Sequence, residues 1–335
     1  MELAILGASL VSAAVVCAVL TYIEIPFLKK LKAGQNIREE GPKAHLEKAG
    51  TPTMGGISML LTFTIFSIAL LIFKPYCAST VIPVLLSTLA YAGIGFFDDF
   101  LKIKKHQNEG LTSKQKMALQ ILIGAFFAVY RFMIGNTKVF IPFIKKAVDF
   151  GFWIIPFTLF VFIAMTNAVN LTDGLDGLAS SVTMNVSLFI AMLCMTGLVF
   201  TNNNGVTWGY TGNQWSALLS VILSGCCMGF LVFNHHPAKV FMGDTGSLAL
   251  GACLTGIAMT SSFDFALPIV GLVYVVEALS VIIQVVVFKT QNGRRFFRMA
   301  PIHHHFELGG WSEVKVDTVF CIVTVIMGII ALLVF

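Results

Sequence analysis

Asp98 and Asp99 stand side by side in FFDDFLK (96–102), directly after an apolar run. Ionised carboxylates at such a place are expensive unless paired or hydrated. Consecutive helical side chains point about 100° apart, so the two do not serve one ligand symmetrically. Lys102, at i+4 from Asp98 and i+3 from Asp99, is within pairing reach of both. The pair reads as a charged stop at a lipid boundary, or as a metal ligand or general base with a supporting neighbour.

Asn170, Asp173 and Asp176 are spaced by three in NAVNLTDGLDG (167–177). On a helical turn their side chains share one side, and Gly174 and Gly177 let backbone approach a ligand. With no Lys or Arg in this segment, it suits a cation, or the donors of a nucleobase or sugar, better than phosphate. A hydrated turn is the plainer alternative. Asp244 lies in GDTGS (243–247) at the start of an apolar run, as a helix N-cap or as a ligand for Mg²⁺ bridging phosphate oxygens. Asn234, His235 and His236 lie just upstream.

His303, His304 and His305 are consecutive, which argues against zinc, because their side chains diverge on a helix. Phosphate or sugar contacts, or an incidental interfacial cluster, remain. Pro301 fits the first turn of a short helix carrying them. Lys48, Thr51 and Thr53 in KAGTPTMGG can bind an anion, or lipid headgroups, although P-loop spacing is absent. Glu277 lies midway along an apolar run with Gln284 at i+7, either a functional carboxylate or a bundle hydrogen bond. The seven cysteines show no metal or redox spacing and read as small packing residues.

The elements that must position these residues are set by composition. Of 335 residues, 57% are hydrophobic and 12% charged, against about 45–50% and about 25% in soluble domains. That excludes a soluble enzyme, a disordered chain and a secreted disulfide scaffold. Ten continuous apolar stretches predict helices at 3–28, 55–73, 78–97, 117–134, 152–169, 179–200, 215–233, 247–262, 265–288 and 317–335. The first stretch has no basic segment before it and is long, so it reads as a retained span. The expected fold is all-α and polytopic, a single transmembrane domain over 1–335 with five motif-bearing cytoplasmic loops at about 29–54, 98–116, 170–178, 234–246 and 289–316. Most of the 22 basic residues fall in those loops, while Lys74, Lys138, Lys145 and Lys146 fall in the others. The positive-inside rule then puts both termini outside and every polar motif at the cytoplasmic face. Carboxylates, lysines and imidazoles gathered there are equipment for phosphoryl transfer on a lipid phosphate.

FFDDFLK, NLTDGLDGLA and FMGDTGS, with KAGTPTMGG and APIHHHFE, resemble the polyprenyl-phosphate N-acetylhexosamine-1-phosphate transferase superfamily. The resemblance covers the whole chain, and GTPTMGG and PIHHHFE favour its muramoyl-pentapeptide branch. It implies attack of undecaprenyl phosphate on UDP-N-acetylmuramoyl-pentapeptide, giving lipid I and UMP, with Mg²⁺, in a bacterial cytoplasmic membrane. By motif matching it implies Asp98 as the base, Asp99 as its carboxylate partner and Asp244 as the Mg²⁺ ligand, with Asp98 as a second candidate ligand. It also implies that His303 is needed for activity. Lys48, Thr53, Asn170, Asp173, Gly174, Leu175, Asp176, Asn234 and Phe241 match nucleotide-site positions. Lys102, Lys114, His304 and His305 are expected on phosphate or sugar. The partners implied are the nucleotide substrate, the lipid carrier and the bilayer, with no nucleic acid and a homodimer as an open option. Two alternatives are a GlcNAc-1-phosphate transferase and, remotely, a secondary transporter, against which the lack of an internal repeat and the one-sided polar motifs count.

Overall fold

The computed structural model describes residues 3–31, 50–105, 110–196, 199–201, 207–209 and 214–335. The chain is an all-α polytopic membrane protein. Its long helices are α1 (Leu3–Lys30), α2 (Gly56–Phe73), α3 (Ala78–Lys105), α4 (Ser113–Met133), α5 (Ile154–Thr172), α6 (Leu178–Met195), α7 (Gln214–Asn234) and α8 (Gly243–Ser261). A short α9 (Ala266–Val270) precedes α10 (Leu272–Thr290), and a short α11 (Ile302–Glu307) precedes α12 (Glu313–Val334). Three 3₁₀ turns (Pro75–Cys77, Pro142–Ile144 and Gly151–Trp153) and two strand pairs complete the described elements. β1 (Lys138–Ile141) pairs antiparallel with β2 (Lys146–Asp149), Lys138 opposite Asp149. β3 (Val199–Thr201) pairs antiparallel with β4 (Thr207–Gly209).

Among the described residues, nine helices are long and apolar enough to cross a membrane. The expected span not among them is the eighth, at 247–262, which is α8 and begins at Gly243 rather than 247. Its sequence, GDTGSLALGACLTGIAMTS, is rich in Gly, Ser and Thr, and every residue from Thr245 to Met259 is buried. A helix surrounded by other helices does not meet lipid and needs small residues for close packing more than long apolar ones. α1 shows the opposite case. Its buried residues Leu6, Ala13, Cys17, Thr21 and Leu28 form a single stripe, and Val11, Val15, Tyr22 and Phe27 face outward.

The apolar stretch at 265–288 is not one helix. It breaks at Gly271, between α9 and α10. Thr112 starts α4 with a capping box, accepting from the Gln115 N–H while Gln115 reaches back, and Ser312 caps α12.

Close approach sets the geometry of one end of the bundle. A Cβ at Gly95 would lie 2.1 Å from the Asp244 carbonyl oxygen. Glycine there lets α3 lie against the first turn of α8, and Asp99, one turn further along α3, meets that turn's N–H groups. All seven cysteines are free, and all but Cys321 are buried.

Candidate active site

The carboxylates of Asp98 and Asp99 diverge as helix geometry requires, and each has its own task. Asp99 anchors α8. Its Oδ2 accepts the Thr245 N–H at 2.9 Å and the Thr245 hydroxyl at 2.7 Å, and Oδ1 accepts the Asp244 N–H at 3.2 Å. A carboxylate at a helix N-terminus satisfies orphan donors and favours the macrodipole. Met242 is the N-cap of α8 and offers no side-chain bond, so Asp99 replaces a local cap from another helix. Asp244 is therefore in the first turn rather than at the cap.

Asp98 faces lysines. Its Oδ2 lies 2.6 Å from Lys102 Nζ and 3.2 Å from Lys116 Nζ, and its Oδ1 accepts the Leu111 N–H at 2.8 Å. Asp244 Oδ2 takes the same two ammonium groups, at 3.0 Å and 2.6 Å. Asn170 donates to Asp244 Oδ1 at 2.7 Å and to Ser247 at 2.8 Å. One oxygen from each of Asp98, Asp99 and Asp244 falls within 4.8 Å of the others. Such an all-oxygen, anionic donor set fits a hard divalent cation such as Mg²⁺, with Asp99 already the most engaged by α8.

The Asn170–Asp173–Asp176 spacing does not continue on one helical face. α5 ends at Thr172, and Gly177 takes φ +79° before α6 begins. The turn sends the three side chains apart. Asn170 holds Asp244, while Asp176 accepts the Ala238 N–H at 3.0 Å and meets His236 Nδ1 at 3.0 Å. Asp173 lies between them. Desolvation first, then the charges of Asp244, Asp99 and Asp176, push its carboxyl well above the usual carboxylate range. Leu175 is buried beneath the turn.

The three consecutive histidines find three different Nδ1 partners, although the His303 and His304 rings stay in contact, with centroids 4.1 Å apart. His303 is fully buried, its Nδ1 3.1 Å from both carboxylate oxygens of Glu277, which is also fully buried. His304 Nδ1 lies 2.8 Å from Glu307, and His305 Nδ1 accepts the Arg298 N–H at 3.1 Å. Pro301 is the N-cap of this short helix. Gln284 accepts the N–H groups of Phe296 and Phe297, tying the preceding loop to α10.

Other expected positions take supporting places. Asn234 is buried, donating to the Val240 carbonyl at 2.9 Å and accepting from Ser180 at 3.1 Å. Phe241 is half-buried and bonds through its backbone to Pro52 and Gly55. Thr53 sits beside Gly243, where an added Cβ would come within 2.9 Å of its hydroxyl. Lys114 is exposed and is not one of the lysines on these carboxylates. Lys48 lies outside the described residues.

Sequence reasoning missed Lys116. The signal was present: Lys116, Gln120, Gly124, Phe127 and Arg131 recur at i+4 and i+3, and the last four are buried on α4. Lys114, two residues away, faces about 200° round the helix. Thr245 and Glu313, the latter 3.8 Å from His236 Nδ1, were also missed, and His236 was noted without a role, because these contacts join distant segments.

The match to glycosyl transferase family 4 spans residues 81–262, from within α3 to the end of α8. A phospho-N-acetylmuramoyl-pentapeptide-transferase of Clostridium perfringens (strain 13 / Type A) is 46% identical over 317 residues, 95% of this chain and 94% of that protein. Equally named relatives from Clostridium botulinum (strain Eklund 17B / Type B) and Acetivibrio thermocellus are 48% and 46% identical, over 93% and 91% of this chain and 91% and 88% of theirs. With carboxylates and lysines gathered at one end of a helical membrane bundle, and likeness along nearly the whole length, the chain belongs to the phospho-N-acetylmuramoyl-pentapeptide-transferase family.

Proposed function

We propose that this chain transfers phospho-N-acetylmuramoyl-pentapeptide from UDP-N-acetylmuramoyl-pentapeptide to undecaprenyl phosphate, forming lipid I and releasing UMP for peptidoglycan synthesis. The observation that carries the reading is the pairing of Asp98 and Asp244 with Lys102 and Lys116 at one end of the bundle. Charge stabilisation and positioning do most of the work in phosphoryl transfer, and this cluster supplies both. The basic-residue pattern supports the cytoplasmic face of a bacterial cytoplasmic membrane as its place.

An oxygen of the lipid phosphate attacks the β-phosphorus of the nucleotide, and the bond from that phosphorus to the bridging oxygen breaks, so that UMP keeps the bridging oxygen. Asp98 accepts the proton of the lipid phosphate. Lys102 and Lys116 leave their carboxylates in part to offset the negative charge of the pyrophosphate. Asp99 keeps α8 in place and so fixes Asp244. Asp244, with Asp98 as the second candidate, would hold Mg²⁺, which when bound supplies neutralisation of pyrophosphate charge. The turn at 173–176, with Asn170, Thr53 and Phe241, lies where the nucleotide would be received, and His304 and His305 are further candidates for phosphate or sugar contact.

Attack is direct. Both oxygens of Asp99 are committed to α8, which disfavours it as a nucleophile. A kinetically competent phosphorylated Asp98 or Asp99, trapped on denaturation, would defeat direct attack.

The deciding assay follows UMP release from UDP-N-acetylmuramoyl-pentapeptide in detergent, with and without Mg²⁺ and undecaprenyl phosphate. Release that needs both is expected. Turnover of UDP-GlcNAc and not of the muramoyl substrate would favour the sister transferase, and the absence of a sealed compartment separates an enzyme from a transporter.

A further inference from the structure

We infer that Glu277 is a positioning residue that acts through His303. It holds the imidazole as the Nδ1–H tautomer, so that Nε2 offers a lone pair to a hydrogen-bond donor of the substrate at the Asp173–Gly174 turn. The inference rests on the transfer reaction proposed above.

Three observations carry it. Glu277 sits within α10, fully buried, where an ionisable group is expensive and packing alone would be served by an apolar residue. Its carboxylate oxygens lie at one and the same distance, 3.1 Å, from His303 Nδ1. One N–H shared between two acceptor oxygens accounts for that symmetry and puts the proton on Nδ1. The neutral ring then carries its lone pair on Nε2.

Nε2 is sealed from solvent and has no hydrogen-bond partner among the described residues. Buried polar atoms nearly always find one, which marks this one as waiting for a donor that arrives with substrate. What lies over Nε2 is the backbone of Gly174: a Cβ there would come within 2.2 Å of it. Glycine lets this turn pack on the ring and shift from it without dragging a side chain across. The same turn carries Asp173 and follows Asn170, the partner of Asp244, so the imidazole edge is directed to the site. The donor class this selects is a hydroxyl or N–H, as on a sugar, a ribose or a protonated phosphate, and not a bare phosphate oxygen.

The test uses the full chain in detergent and steady-state UMP release. Glu277→Gln can donate its amide N–H to Nδ1 and so favours the opposite tautomer. It should lower kcat by roughly a hundredfold, on the scale of a positioned acid–base group, with the nucleotide KM changing far less. Glu277→Asp keeps an acceptor and should recover part of the loss. Combined with His303→Ala, the Glu277→Gln change should add nothing to the loss caused by His303→Ala alone. Wild-type kcat in Glu277→Gln, or losses that multiply in the double variant, would overturn the inference. A wild-type chain that fails to turn over this substrate would instead sink the transfer reading, so the two failures are distinct. Should Glu277→Gln not fold, nitrogen-15 NMR of the histidine-labelled wild-type chain decides: an unprotonated Nε2 on His303 supports the assignment, and a protonated one overturns it.

Discussion

At one end of the bundle Arg131 meets Asp264, one charge of each sign; at the other, Asp98 and Asp244 share Lys102 and Lys116, with Asp99 beside Lys102. The Arg131 pair is bidentate, at 2.7 and 2.9 Å, and the guanidinium also donates to Thr158 at 3.1 Å and to the Asn136 carbonyl at 3.0 Å. Both partners are buried, at 0% and 3% exposure. Planar, matched and closed, the pair has no position left for a ligand. The opposite cluster has more carboxylates than ammonium groups, lysines that can swing, and Lys102 and Lys116 still 31% and 21% exposed along their side chains. A balanced, closed ion pair fixes a fold. An unbalanced, partly open one is able to exchange a protein partner for a substrate.

The largest effect expected from that contrast is at Asp244. Asp244→Asn removes the charge on which Lys102, Lys116 and Asn170 converge, and activity should fall by about a thousandfold, at the upper end for loss of one preorganised electrostatic group. The thermal midpoint in detergent should hardly move, because Asp99 still anchors α8. An active Asp244→Asn variant with normal Mg²⁺ dependence would break the contrast.

Arg131→Ala should do the reverse. It leaves Asp264 buried without its partner, a change that costs about 3–5 kcal/mol. Thermal unfolding should shift down strongly, while kcat per folded molecule stays close to wild type. Replacing both partners, as Arg131→Met with Asp264→Leu, should restore much of the stability, since a matched apolar pair carries no desolvation penalty. A loss of kcat without a loss of stability would show that this end, too, takes part in the reaction.

The charged end was far more legible in sequence than the closed one. Carboxylates in FFDDFLK and FMGDTGS stand out because apolar flanks make them costly, and Lys102 follows at helical spacing. The pairing of Arg131 with Asp264 links residues far apart in the chain, and no local pattern encodes it. Helix existence was readable from continuous apolar runs, but the break at Gly271 and the enclosed position of α8 depend on neighbours. Asp98 and Asp99 were equivalent by type. Their separation into a lysine-facing and a helix-anchoring carboxylate needed Gly95, whose missing side chain brings α3 onto α8.

A smaller effect distinguishes two lysines on one helix turn. Lys116 lies on Asp98 and Asp244, whereas Lys114 is exposed on α4. Lys116→Ala should lower kcat about tenfold, roughly 1.4 kcal/mol of transition-state stabilisation, and Lys114→Ala should change it little. The reverse order would mean that substrate binding turns the first part of α4 and exchanges the two.

The smallest effect is expected at Lys74, an exposed residue that follows α2 and donates its N–H to the Leu70 carbonyl at 2.8 Å. α2 runs 18 residues from Gly56, so its far end lies about 27 Å from its start at 1.5 Å per residue. Gly56 bonds to the Met242 carbonyl beside the cluster, which puts Lys74 at the far end, with the closed pair. Removing its side chain leaves that backbone bond intact and uncovers no buried group. Lys74→Ala should therefore leave kcat and KM unchanged and stability within about 0.5 kcal/mol, as for other surface substitutions. A marked loss of kcat there would mean that charge at the far end reaches the reaction after all, and the division of labour between the two ends would fail at its least protected point.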